Sequence, residues 1–195
     1  LGLYRPDSGR VLLDGIEPEQ LRSEKPGLLA YVPQKPGLVS GSIAQNIALG
    51  VGSSEWDESM IWHALETAQL ADHVRGLPLG IHSDLGNHSD AMSGGQIQRL
   101  GLARALYTSP RLVILDEATS ALDASTEASI TRSLQALGNE TTVIVIAHRL
   151  STIQHADTVY VMDGGKILDF GTFPEIRRRV PLVEEYVKLM SFDSE

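Results

Sequence analysis

Residues 112–117 read Leu-Val-Ile-Leu-Asp-Glu. The four apolar residues have no polar residue interleaved, the pattern of a strand covered on both faces, as strands of parallel sheets are. Residues 143–147 (VIVIA) repeat that pattern. Between the two runs, residues 124–137 have the character of a crossover helix, and Asp123 stands where an N-cap is needed. Strand, helix, strand with such apolar strands predicts an α/β domain built on a mostly parallel sheet.

Working outward, residues 28–32 (LLAYV) form another predicted strand, stopped by Pro33, and residues 9–15 (GRVLLDG) a short one between turn residues. From 42 to 92 the character changes to helices joined by polar turns. In one of them Met60, Ile61, Ala64, Leu65 and Ala68 recur at helical spacing. Towards the end, residues 158–162 and 166–170 flank Asp163-Gly164-Gly165, a hairpin signal. Residues 173–190 read as helical, interrupted at Pro181. No internal repeat, low-complexity segment or interdomain linker stands out.

The 195 residues suit one domain with a sizeable core, and 42% hydrophobic with 21% charged residues excludes a disordered or fibrous chain. The longest apolar runs fall far short of the ~20 residues that cross a bilayer. A net charge of −9 argues against a duplex-DNA binder. A nucleotide still fits, because a few local donors hold phosphates within an acidic protein. With no cysteine, disulfides and thiolate metal sites are excluded.

Four features carry candidate chemistry, and each has a plainer alternative. Asp116 and Glu117 end a strand at the edge where α/β folds bind ligands. There Asp116 could hold Mg²⁺ and Glu117 could polarise a water; alternatively they are two solvated acids opening a turn. Ser93-Gly94-Gly95-Gln96 precedes a helix with Ile97, Leu100, Ala103 and Leu106 on its apolar side. Free N–H groups and the helix dipole make such a start an anion site, or simply an N-cap with a flexible entry. Gln34, directly after a strand, could ligate a metal or be an ordinary loop residue. His148 could donate to a terminal phosphate or cap the next turn. His63, His73, His82, His88 and His155 show no ligand spacing and carry no assigned role.

In order, Gln34, then MSGGQIQRLGLARAL (92–106), RLVILDEATSALD (111–123) and IAHRLST (146–152) closely resemble the ATP-binding cassette proteins, collinearly over the whole chain. The resemblance implies a P-loop NTPase-like fold with a helical subdomain insertion. Residues 1–41 would end the first part of the core with the Q-loop. Residues 42–92 would be the helical subdomain, and residues 93–195 the signature helix, Walker B strand, D-loop, switch histidine and C-terminal helices. It makes Gln34 the Q-loop glutamine, Ser93, Gly94, Gly95 and Gln96 the signature loop, and Asp116 the Walker B aspartate. Glu117 would be the catalytic glutamate, Ser120 to Asp123 the D-loop, and His148 the switch histidine. ATP and Mg²⁺ follow as cofactors, the metal held partly by Asp116 and Gln34. Leu38 to Ile43 with Asn46 and Ile47, and His148 to Thr152, are similar to the exporter subtype. That subtype implies a transmembrane domain upstream, a second nucleotide-binding domain closing an ATP sandwich, no nucleic-acid partner, and a place at the cytoplasmic face of the cell membrane.

Three departures qualify this. The Gly-rich loop ending Gly-Lys-Ser/Thr that the family carries upstream is not in these residues, so an N-terminally truncated, inactive cassette is expected. Met92 replaces Leu before Ser-Gly-Gly, a near-isosteric change. Residues 84–90 (DLGNHSD) lack the Glu that exporters often carry. A soluble cassette ATPase of chromosomes or ribosomes is the rival reading, but residues 34–93 hold no heptads of the kind that split chromosome-type cassettes. A non-catalytic cassette of a heterodimer is opposed by Glu117 and His148 together.

Overall fold

The computed structural model describes residues 1–85, 92–118, 122–147 and 149–192. By packing, the chain divides into two compact units, Leu1–Ile146 and Ala147–Glu195.

In the first unit, β1 (Leu29–Val32), β2 (Leu112–Asp116) and β3 (Thr142–Ile146) form a parallel sheet in that order. The register sets Val32 beside Leu115, and Asp116 beside Ile146. β2 meets the expectation of two covered faces only in part: central in the sheet, it buries Val113 and Leu115 completely or nearly so, while Leu112 and Ile114 on the other face are half-buried. β3 is covered still less. It lies at the edge, and Ile144, Val145 and Ile146 are 47%, 37% and 48% exposed. The apolar run predicts the strand correctly but not its cover, because burial depends on neighbours that the run itself does not encode.

Residues 9–15 do not form the expected strand. Leu13 and Ile16 bridge across a tight turn in which Asp14 (φ 50°) and Gly15 (φ 80°) are left-handed. Among the described residues no strand runs beside them, so the segment has no ladder to join. The chain instead enters α1 (Pro18–Glu24), with proline in the first helical turn where its missing N–H costs nothing.

The predicted helical stretch is realised as α2 (Ile43–Ile47), α3 (Glu58–Thr67) and α4 (Ala71–Arg75) with short 3₁₀ turns. Ser42 and Gln45 close a capping box at the start of α2, and Asp57 caps α3. Ile61, Ala64 and Leu65 of α3, spaced as the sequence suggested, are buried. They pack towards α5 (Gly94–Leu106), which also covers β1 and α2. Ile43, Ile47, Ile61, Leu65, Val74 and Leu100, almost without solvent contact, form the centre of this core, and Met92 joins it as a buried apolar residue. At Gly101 a Cβ would stand 2.5 Å from Cγ of Pro36, so the helix approaches the loop after β1 only because the residue is glycine. After β2, α6 (Ala124–Gln135) crosses back to β3, with Ile130 and Leu134 inward.

The second unit holds α7 (Leu150–Gln154) and an antiparallel hairpin of β4 (Val159–Asp163) and β5 (Lys166–Gly171). Gly164 and Gly165 turn it with φ of 52° and 77°, the two positive values that a tight hairpin turn demands. A bulge follows Val161. α8 (Phe173–Arg179) is anchored by Arg179, whose Nε donates to Asp169 at 2.8 Å. α9 (Pro181–Phe192) follows after an extended Val180, as the residue before proline prefers. No helix among the described residues is long and apolar enough to cross a membrane.

Candidate active site

The carboxyl ends of β1 and β2 lie side by side, and both carry polar side chains. Asp116 is the last residue of β2. At Glu117 the chain turns with φ of 49°, unusual for a residue with a side chain, while its N–H donates to the Ile146 carbonyl at 3.2 Å. Such a backbone costs on the order of 1–3 kcal/mol and persists only where the surroundings impose it. The turn sends the two adjacent carboxylates in different directions, so they serve different partners.

Asp116 accepts a hydrogen bond from the Tyr31 hydroxyl at 2.8 Å. That bond, reinforced by burial and by the carboxylate's charge, raises the Tyr31 pKa and keeps the phenol a donor. Glu117 accepts from the Gln34 side-chain amide at 2.6 Å. Gln34 is also held through its backbone, because the carbonyl accepts from Nε2 of Gln98 at 3.2 Å. Gln98 is buried on α5, so the loop after β1, the end of β2 and the helix α5 are tied at one point.

α5 starts at Ser93, which is exposed and caps it. The Ser93 hydroxyl accepts from the Gln96 N–H at 3.3 Å, and the Gln96 side-chain oxygen accepts from the Ser93 N–H at 2.8 Å. The Ser93 hydroxyl keeps its own proton to donate. Gly94 and Gly95 form the first turn, where backbone N–H groups have no partner within the helix.

The expected residues therefore fall into groups. Gln34, Asp116 and Glu117 come together at the strand ends. Ser93 to Gln96 open the same helix whose Gln98 fixes Gln34. Asp123 caps α6, accepting from the Ser125 hydroxyl at 2.6 Å and from the Thr126 N–H and hydroxyl at 3.0 and 2.6 Å. These bonds, the Ser125 hydroxyl foremost, hold its carboxyl well below the usual range. Ser120 and His148 lie outside the described residues. Tyr31 and Gln98 were missed by sequence reading. Tyr31 shares the face of Asp116 only because the register aligns it with Ile114, and no local signal carries that register.

Among the described residues no three His, Cys, Asp or Glu side chains gather as a metal cage. A Mg²⁺ that takes most of its ligands from water and phosphate needs only one or two protein oxygens. The Asp116 carboxylate supplies such oxygens. With the Gln34 amide nitrogen committed to Glu117, its oxygen is the atom left for a metal.

A family model described as ABC transporter matches residues 1–120. The chain is 43% identical over 182 residues to the ABC-type transporter atr1 of Mycosarcoma maydis, covering 90% of this chain and 13% of that protein. It is 42% identical over 182 residues to the ATP-dependent lipid A-core flippase of Ralstonia nicotianae, covering 90% of this chain and 30% of that protein. Among solved structures, a bacterial Atm1-family ABC exporter with ATP bound matches 96% of this chain and 33% of its own, with 34% identity and a TM-score of 0.86. The chain thus spans only a minor part of each of these relatives.

Proposed function

Because the chain belongs to the ABC transporter family, we propose that it is a nucleotide-binding domain that couples Mg-ATP binding and hydrolysis to export across a membrane. The observation that carries this reading is the 2.6 Å bond from Gln34 to Glu117 at the carboxyl edge of the sheet. An amide that donates to a carboxylate orients it towards the strand ends, where a water attacking a phosphate would lie. Glu117 is then the general base for attack on the terminal phosphate. Asp116, steadied by Tyr31, and the oxygen of Gln34 would hold Mg²⁺, which when bound neutralises phosphate charge. Ser93 presents its hydroxyl, and Gly94 and Gly95 their helix-terminal N–H groups, to the ATP of a second cassette, with Gln96 closing the loop that holds them. His148 would contact the terminal phosphate, and Asp123 keeps α6 capped beside the segment that follows Glu117.

The names of the relatives, an ABC-type transporter and a flippase, support a transmembrane domain as partner and a place at a membrane; the cytoplasmic face is what the motif resemblance implies. The 195 residues contain no Gly-Lys-Ser/Thr loop, so the cradle for the β- and γ-phosphates would have to come from residues outside this sequence. By this reading the chain alone is inactive.

Glu117→Gln in the full-length transporter tests the proposal. It should keep ATP binding and lower turnover by roughly 10²–10⁴-fold, the scale of a lost general base. Near-normal hydrolysis would take Glu117 out of that role.

A further inference from the structure

We propose that His73 is a positioning residue for the anion-binding loop at the start of α5, a step that rests on the reading of that loop as an ATP contact. Gln96 has one side-chain oxygen and one side-chain nitrogen. The oxygen accepts from the Ser93 N–H at 2.8 Å, which fixes which way the amide faces. Its nitrogen therefore points away from the cap, and it lies 3.2 Å from Nδ1 of His73. An amide NH₂ only donates, so in this contact Nδ1 is the acceptor.

His73 sits on α4, a helix fastened at both sides of this contact. Val74 is buried in the core, and Arg99 of α5 donates to the Gln69 carbonyl at 2.7 Å just before α4 begins. The imidazole thus links a fixed helix to the one side chain that closes the Ser93 cap. A capping box holds the Ser93 backbone from within the loop. The His73 contact holds the box itself from outside, and so sets where the Ser93 hydroxyl and the Gly94 and Gly95 N–H groups point. His73 touches no nucleotide; it acts through Gln96.

The test uses the full-length protein with a nonhydrolysable ATP analogue and Mg²⁺, reading closure of the two ATPase domains by spin-label distances. His73→Leu should raise the analogue concentration for half-closure roughly three- to tenfold, the scale of one lost hydrogen bond. His73→Asn, which keeps an acceptor near Nδ1, should restore it. The thermal midpoint should stay unchanged in both. In a Gln96→Ala background, which has already lost the Ser93 N–H bond as well, His73→Leu should cost little more, because His73 acts only through the Gln96 amide. The inference is overturned if His73→Leu closes like wild type, if His73→Asn fails as His73→Leu does, or if the two losses multiply. Ser93→Arg separates the levels. If it blocks closure while His73→Leu does nothing, only the role of His73 fails; if it closes normally, the loop is not an ATP contact and both fall.

Discussion

Gln34 and Glu117, 83 residues apart in the chain, meet in a 2.6 Å hydrogen bond across the ends of adjacent parallel strands. The backbone that carries this amide is held in turn, since the main-chain carbonyl of Gln34 accepts from the buried Gln98. The contact gives the half-buried Glu117 carboxylate a defined orientation at the strand ends.

Gln34→Ala removes that orientation without touching the carboxylate. Mg-ATP binding should weaken, since the Gln34 oxygen offered to Mg²⁺ is lost too. Turnover at saturating Mg-ATP in the full-length protein should fall at least about tenfold, the low end for a bond to a charged group because the pair is partly solvated. Gln34→Glu sets two carboxylates face to face, where one proton is shared between them. Its turnover should be lower than that of Gln34→Ala at pH 8, with the gap narrowing as the pH falls towards 5. Steady-state hydrolysis of both variants across that range checks the claim, and equal profiles would show that the contact does not orient Glu117.

A second prediction concerns Asn46, which has no solvent exposure. Its oxygen accepts from the Val39 N–H at 2.9 Å and from Arg104 at 3.1 Å, and its nitrogen donates to the carbonyls of Val39 and Ser42. Arg104 also reaches the Asn46 carbonyl at 2.6 Å and that of Gly37 at 2.9 Å. Asn46→Ala leaves several buried groups unpaired at about 1–3 kcal/mol each. Asn46→Asp keeps the shape but aims an oxygen at two carbonyls. Both should lower the urea midpoint, and an Asn46→Asp variant as stable as wild type would show that the amide donors do not matter.

What the sequence disclosed and what it hid divide along a physical line. The strand at 112–116, the caps Asp123 and Ser93, the Gly164-Gly165 turn and the break before Pro181 are local, set by neighbours within a few residues, and they are found where expected. The grouping of Gln34, Asp116 and Glu117 followed from resemblance and from the rule that strand ends bind ligands. Tyr31 on Asp116, Gln98 on Gln34 and Arg104 on Asn46 depend on register and packing between distant segments, so no motif announced them. The false strand at 9–15 is the converse: strand-like composition with no ladder beside it. The exposure of β3 has the same origin.

Asp123 gives a prediction in pH. Its carboxyl titrates below its ordinary value near 3.9 because three donors of α6 prefer the charged form. A depressed pKa in the fold contributes stability that is complete above the unfolded value and is lost as the pH falls through the folded one. Asp123→Asn still caps a helix but has no charge to lose. The thermal midpoint of wild type relative to this variant should therefore be constant from pH 7 to about 5 and decline below about pH 4. A difference that stays flat down to pH 2.5 would mean the charge contributes nothing.

The last prediction follows from β3. One side of its backbone is bonded to β2, and the other side is an edge among the described residues. Residues 142–146 read TVIVI, with no charge, no proline and β-branched side chains throughout, three of them exposed by between 37% and 48%. An uncharged apolar edge with unpaired N–H and C=O groups templates pairing with another copy. The purified 195-residue chain should therefore self-associate at micromolar concentration. It should also show no micromolar Mg-ATP binding by calorimetry, since these residues hold no phosphate loop. Ile144→Lys puts a charge on that edge at a half-exposed position, so it should shift the chain towards monomer in light scattering while leaving its thermal midpoint nearly unchanged. Val113→Lys, the same change at a fully buried site of β2, should instead unfold the domain. The hairpin offers a rival sticky surface, because Tyr160 and Phe170 stack at 5.5 Å and both are 59% exposed. If Phe170→Lys dissolves the assemblies and Ile144→Lys does not, association runs through the hairpin face and the argument from the strand edge is wrong.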